Sequence, residues 1–458
     1  MLSLERRAPS LQLAEKKQLE GKPDGSKKGK WHALAATWLG EAFDAMDASL
    51  YFVALVPAMT ELLRSNNDTV IGQTGSIVLA VFMMGWFFGA LIFGGLADRI
   101  GRRKTMLITI LLYSLATGLC ALCQNWMQLA ACRFVVGCGI GGEICLGTVV
   151  IAEFWKGRGR LWATCVLESS FNAGLLFASG LNVLIGVYGW RWLFIAGVIP
   201  ALATVYIRSK LKESESFEEV AKHRVETVSA TSEKPKSSWA QLMERDMRGK
   251  LFWTASFAMS AIVGYWACVA WLPAWVNQLT GDIAIGERST ATTLFSIGGL
   301  VGCFLTPLIL DRLGRKNTVK LSFVGGLIAA VTMFVTIKTF GLPLLLWAFA
   351  LGVFTNVQFT TLQIYIPEVF PTSMLATAAG VCYGAGRVFS ACLALCGGQL
   401  IAFYGGSYAL ASATLSLVYI VGVIAAFFIM ETDGAVAGTR NLRKAGTLVP
   451  QPVAATSR

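Results

Sequence analysis

Charged side chains are scarce in this sequence, and several of them stand inside long apolar stretches, where an ionisable group is costly and marks a functional candidate. Glu41, Asp44 and Asp47 interrupt residues 33–63, Arg133 interrupts 126–152 and Arg387 interrupts 375–402. On a helix the spacing of three spreads the acids over about 120° of one face, so Asp44, Asp47 and Tyr51 can face one bundle interior. A carboxylate beside a buried arginine can exchange that cation for a proton, because losing the cation raises its proton affinity in a low-dielectric site. Arg387 offers a planar fork suited to a carboxylate. It shares a face with Tyr383, and Gly380 and Gly384 leave room beside it. The acid of the second half closest to it in the chain is Glu368, at a helix end. An anion is one partner for Arg387; helix carbonyls, Asn356, Gln358 or Gln363 are the others. Glu168 and Asn172 stand one turn apart, and Gln358 lies on one side of its helix with Tyr365, so all four could line a cavity. Tyr265, Trp266 and Trp271 could stack on a planar molecule or serve as packing and interface anchors. Glu143 suits a gate or a solvated vestibule.

The elements that must position these groups follow from composition. Of 458 residues 55% are apolar and only 14% are charged, and the mean hydropathy is +0.60. Soluble proteins carry about 25% charged residues. The apolar runs predict an all-α integral membrane protein with twelve transmembrane helices at 33–63, 76–97, 105–124, 126–152, 161–186, 190–207, 250–279, 290–310, 318–338, 342–367, 375–402 and 406–430. Counting along helix one from its inner end places Asp44 about 16 Å deep and Asp47 about 21 Å deep at 1.5 Å per residue. Helix four runs the other way and places Arg133 about 20 Å from the same surface of a roughly 30 Å core.

Of the 39 Lys and Arg residues, the loops on one side hold only Arg64, Arg191, Arg288 and Lys338. Cytoplasmic loops collect basic residues, so both termini are expected inside. The net charge of +12 is then a matter of topology and of anionic lipid, and no nucleic-acid partner is expected. Residues 1–32 read as a cytoplasmic tail and not a signal peptide, 33–207 as a six-helix bundle, 208–249 as a cytoplasmic loop, 250–430 as a second six-helix bundle and 431–458 as a second cytoplasmic tail. Two histidines, both outside the runs, argue against imidazole catalysis and against a metal site. The eleven cysteines lie in apolar segments and read as packing residues. No cofactor is expected.

The two bundles repeat. Gly94-Gly-Leu-Ala-Asp98-Arg-Ile-Gly101-Arg-Arg103 follows run two and Pro307-Leu-Ile-Leu-Asp311-Arg-Leu-Gly314-Arg-Lys316 follows run eight, 213 residues later. Ile151-Ala-Glu153 and Ile366-Pro-Glu368 recur at an offset of 215. Over the whole span of the twelve runs these residues resemble the major facilitator superfamily. Phe43-Asp-Ala-Met-Asp47 is similar to the first helix of the niacin, aromatic-acid and sialate or lactate symporters. Pro367-Glu-Val-Phe-Pro371 with Gly386-Arg387 is similar to the sugar-porter and organic-ion branch.

The resemblance implies two six-helix halves, 6 + 6, rocking about a midplane site. It assigns proton coupling to Asp44 and Arg133, with Asp47 as a second acid, and an anion to Arg387. A gate is expected from Asp98 with Arg99 and Arg102, and from Asp311 with Arg312 and Arg315. Each aspartate sits where a helix amino terminus of the other half would offer donors. Glu153 and Arg160 resemble an inner gate pair, with Glu368 at the repeated position. The matching arginine of the second half is absent, since Thr372-Ser-Met-Leu375 stands there. The substrate-lining set is Arg387, Tyr383, Gln358, Asn356, Glu168, Asn172 and Trp266. The expectation is a monomeric transporter in the cell membrane, carrying a small organic anion with protons. The alternatives are a sugar or polyol porter or facilitator, a multidrug exporter and a substrate sensor without transport. The sequence has no phosphate-binding loop for an ATP-driven pump.

Overall fold

A computed structural model describes residues 27–65, 68–155, 157–209, 238–280, 285–371 and 374–432. The expected tails and central loop lie mostly outside these residues, as do Thr372 and Ser373. Among the described residues there is no strand. The first half supplies α1 Lys27–Leu63, α2 Asp68–Ile100, α3 Arg102–Cys120, α4 Trp126–Phe154, α5 Gly157–Ile185 and α6 Trp190–Ser209. After a short α7, Ser238–Leu242, come α8 Arg245–Val269, α9 Leu272–Thr280, α10 Ile285–Thr336, α11 Leu342–Val369, α12 Leu375–Phe403, α13 Tyr408–Ser416 and α14 Tyr419–Phe428.

Eight of the described helices are long and apolar enough to cross a membrane, or nine if the two parts of α1, bent by 53°, form one span. The difference from twelve runs has physical causes. The α10 segment Thr290–Thr336 has 47 residues, about 70 Å at 1.5 Å per residue, which is more than twice a roughly 30 Å core. It breaks at Gly314, whose φ of 78° suits glycine, so its length accommodates two of the predicted runs. The first turn of α3 carries Arg102, Arg103 and Lys104, and only Trp190–Ile199 of α6 reads as an apolar helix. The exterior of the bundle is apolar, with Leu122, Leu184, Ile199 and Phe403 exposed.

Glycine seams set the closest helix approaches. Gly85 and Gly89 of α2 lie against the carbonyls of Phe134 and Cys138 in α4, and Gly137 and Gly141 of α4 lie against those of Phe82 and Trp86. A Cβ at any of the four would collide with backbone. The second half has the same joint: Gly298 and Gly302 of α10 meet the carbonyls of Phe349 and Val353 in α11, and Gly352 meets that of Phe295. Small residues four apart allow such contact between membrane helices, where dispersion and not water drives association. The α2 and α10 glycines stand 213 residues apart, and Gly137 and Gly352 stand 215 apart, the two offsets of the loop motifs. The seams therefore belong to the same repeat. Between the halves α2 packs on α12, with Gly94 against the Ala376 carbonyl and Gly380 against that of Ala90.

Candidate functional site

The α1 acids and the α4 arginine do meet, at a different residue from the one expected. Arg133 Nη1 lies 3.1 Å from Asp47 Oδ2, and Thr117 of α3 donates to Asp47 Oδ1 at 2.9 Å. The predicted partner Asp44 stands one turn earlier, also buried. Asp47, about 4.5 Å further along α1 at 1.5 Å per residue, is the acid that reaches the guanidinium. Arg133 is fully buried and is enclosed by aromatic rings, with Phe194, Tyr51 and Phe82 at 4.6, 5.3 and 5.9 Å. A low-dielectric enclosure strengthens the ion pair and makes a lone charge costly on either side of it.

Arg387 lies on α12 with its guanidinium carbon 3.5 Å from the centroid of Trp86 in α2 and 5.8 Å from that of Trp266 in α8. The cation of the second half thus rests on a ring of the first. Trp266 in turn meets Phe52 of α1 at 5.5 Å. Its neighbour Tyr265 packs edge-on against Phe171, Phe295 and Phe359 at 6.0, 5.8 and 5.5 Å. Glu168 of α5, one turn before Asn172, is buried as well. Six helices of both halves, α1, α2, α5, α8, α10 and α11, therefore deliver rings to one locality that also holds a cation. Tyr383, one turn before Arg387, is buried. Sequence reasoning missed Trp86, Phe52, Phe171, Phe295 and Phe359, since a phenylalanine in an apolar run carries no signal that separates cavity from core. Trp86 alone had one, its place inside the Gly85 and Gly89 spacing of the seam.

The amides divide. Asn172 Nδ2 of α5 donates to Asn356 Oδ1 of α11 across the halves at 2.9 Å, and Asn356 Nδ2 donates to the Gly352 carbonyl at 3.0 Å. Gly299 makes the meeting possible, because a Cβ there would strike both side chains. Gln358 Nε2 instead donates to the Ser322 carbonyl at 3.0 Å, which commits it to the packing of α11 on α10. The Tyr365 hydroxyl accepts from Met430 N, at the end of the bundle and not at mid-depth.

At that end the residues expected to form a gate make a network of contacts, several of them between the halves. Asp98 Oδ2 accepts from Thr377 N at 3.1 Å and Thr377 Oγ1 at 2.7 Å, in the first turn of α12. Its other oxygen pairs with Arg102 at 3.3 Å. Asp311 pairs with Arg158 of the first half at 2.7 Å, while Arg99 and Arg312 are exposed. Arg160 reaches Glu368 at 3.2 Å, where the expectation paired it with Glu153, whose side chain lies outside the described residues. Arg315 grips Glu368 with two bonds, Nε to Oε2 at 3.1 Å and Nη2 to Oε1 at 2.9 Å. Glu431 accepts from the backbone N–H groups of Arg315 and Lys316 at 2.6 and 3.0 Å, so it caps the helix that restarts after Gly314. Thr432 donates to Glu368 as well.

Residues 37–339 and 282–456 match the Major Facilitator Superfamily. The chain is 28% identical over 385 residues to the niacin transporter NiaP of Acinetobacter baylyi, covering 79% of this chain and 85% of that protein. It is 28% identical over 381 residues to the sialic acid transporter NanX of Escherichia coli, covering 81% and 88%. The fold matches that of the proton:xylose symporter XylE, solved with 6-bromo-6-deoxy-D-glucose, with a TM-score of 0.70 at 18% identity over 90% of this chain and 99% of that one.

Proposed function

The chain belongs to the major facilitator superfamily, so it is a membrane transporter and not an enzyme, and on that premise we propose that it carries a small organic anion, a carboxylate or aromatic acid, by proton-coupled symport. One observation carries the substrate class: Arg387 of one half stacks on Trp86 of the other, amid the rings of Trp266, Tyr265 and Phe52. A guanidinium on a ring face presents its N–H groups at its edge, where a carboxylate can accept two of them side by side. The surrounding rings suit a flat substrate by offset or edge-on contact. The likeness to a niacin transporter and a sialic acid transporter supports this reading, as both substrates are carboxylates.

Asp47 and Arg133 supply the coupling in this proposal. The closed pair holds Asp47 ionised, and opening of the pair lets a proton take the place of the cation. Asp44, one turn away, is the second acid. The twelve runs form two six-helix halves with both termini in the cytoplasm, and the halves rock about the Arg387 region. The repeated glycine seams support two equivalent units. The contacts of Asp98, Asp311 and Glu368 close the cytoplasmic end in one arrangement and part in the other.

Uptake into proteoliposomes under an imposed pH gradient tests the proposal. Nicotinate and benzoate are expected to accumulate and their uncharged amides not to. A sugar reading has one observation in its favour, the buried Asn172 and Asn356 amides, which could serve hydroxyl groups; accumulation of a pentose or hexose without nicotinate or benzoate would establish it.

A further inference from the structure

The turn between α3 and α4 brings two thiols into contact. Asn125 caps α4 by accepting from Gln128 N at 2.9 Å, and Gln128 Oε1 reaches back to accept from Gln124 N at 2.9 Å. The entry of the chain into α4 is thereby fixed, with Cys123 lying over the second turn of the helix. Side chains on a helix lean toward its amino terminus, which tilts Cys132 toward the turn, and the Cys123 and Cys132 sulfurs stand 3.9 Å apart. A disulfide holds its sulfurs about 2.05 Å apart, so a closure of roughly 1.9 Å joins them. Cys123 is buried and Cys132 half-buried. Cys120, three residues before Cys123 and fully buried, offers Cys132 a rival pairing.

The two thiols sit where four helices of the first half are joined. The Cys123 carbonyl accepts from Arg191 Nη2 of α6 at 3.0 Å, Arg191 pairs with Glu61 of α1, and Glu61 accepts from Trp190 Nε1 at 2.8 Å. Cys132 directly precedes Arg133. Asp47 is held from two sides, by Thr117 of α3 and by Arg133 of α4. Opening of the ion pair parts Arg133 from an acid that α3 also holds. A bond from the end of α3 to the second turn of α4 restrains that parting.

We propose that Cys123 and Cys132 form a reversible thiol–disulfide site, oxidised by a small-molecule disulfide, and that the oxidised protein transports more slowly. The half-buried Cys132 loses its proton to water, and its thiolate attacks one sulfur of the oxidant, forming a mixed disulfide and releasing one thiolate. Cys123 loses its proton in turn and attacks the Cys132 sulfur, displacing the second thiolate. The two cysteines give up two electrons and two protons, and the oxidant becomes two thiols. In the proposed topology this end faces away from the cytoplasm, on the side where disulfides persist. The effect on transport rests on the proposed function; the thiol chemistry does not.

The full chain in proteoliposomes, treated with dithiodipyridine and then alkylated, tests both parts. Trypsin releases residues 105–133 as one fragment, since no Lys or Arg precedes Arg133 within it. That fragment is expected to be two hydrogens lighter than its reduced form, with Cys120 alkylated and Cys123 and Cys132 joined. Exchange of nicotinate and benzoate at equal pH should fall severalfold on oxidation and return with dithiothreitol. The double variant Cys123→Ser and Cys132→Ser should exchange at one rate in both conditions. A fragment with all three thiols alkylated, with the oxidant's ring left on Cys132, or with Cys120 bonded in place of Cys123 overturns the site. An oxidised parent that exchanges at the reduced rate, or a double variant that still responds to the oxidant, overturns the effect on transport. A reduced parent that exchanges neither acid overturns the proposed substrate and the slowed exchange with it, while the fragment mass still decides the bond.

Discussion

Arg133 on α4 and Asp47 on α1 form a fully enclosed ion pair, 3.1 Å from nitrogen to oxygen, with three aromatic rings around the guanidinium. Because almost no solvent reaches either partner, removing one of them leaves the other as a buried, uncompensated charge.

Asp47→Asn should leave Arg133 as a buried cation with its carboxylate removed, a loss of about 3–5 kcal/mol. Asp44→Asn leaves that pair in place and should destabilise much less. Thermal unfolding in detergent compares the two. Proton-driven uptake should be lost in Asp47→Asn with exchange retained, and unchanged accumulation in that variant would remove Asp47 from coupling.

Arg387→Gln should weaken carboxylate binding by about 1.5–3 kcal/mol, the range for hydrogen bonds to charged groups, which is about tenfold to more than a hundredfold in Kd. Arg387→Lys keeps the charge and loses the planar fork, so it should fall between Gln and the parent. Titration calorimetry with nicotinate and nicotinamide measures both effects. Equal binding of acid and amide by the parent would sink the anion assignment.

Asp98→Ala should release Thr377 at the start of α12 and leave Arg102 without its acid. Loss of a charge-assisted contact of about 1.5–3 kcal/mol should shift the two-state population tenfold or more toward the arrangement in which this end is open. Thiol labelling of a cysteine introduced at the buried Ala378, next to Thr377, in a background without native cysteines, reads the shift. Labelling that matches the parent with and without substrate would leave Asp98 as a topology marker.

Gly302→Leu should disrupt the α10–α11 seam, because its Cβ would enter the Val353 backbone, and Gly89→Leu should do the same for α2 and α4. Overpacking costs about 1–3 kcal/mol or more. Gly180→Ala, on an exposed helix face with nothing near the new Cβ, should be neutral or stabilising by helix propensity. The order of the thermal midpoints checks all three.

The helical class and the repeated loop motifs were legible in the sequence because each is a property of contiguous residues. A run of apolar residues must satisfy its backbone as a helix in lipid, and Asp98-Arg-Ile-Gly101 and Asp311-Arg-Leu-Gly314 show the duplication directly. The glycine seams were not read from the sequence, although Gly85 and Gly89, like Gly298 and Gly302, stand four apart in it; their contacts with facing carbonyls came only with the structure. Partnerships between helices were not legible either. Choosing Asp47 over Asp44 for Arg133 turns on one helical step of about 4.5 Å, less than the error of a span boundary read from hydropathy. The same limit hid the exchange of Arg312 for Arg158 at Asp311, of Glu153 for Glu368 at Arg160, and the ring of Trp86 beneath Arg387. Only the rotation and depth at which the glycine seams lock the helices decided those contacts, since packing fixes them and local sequence does not.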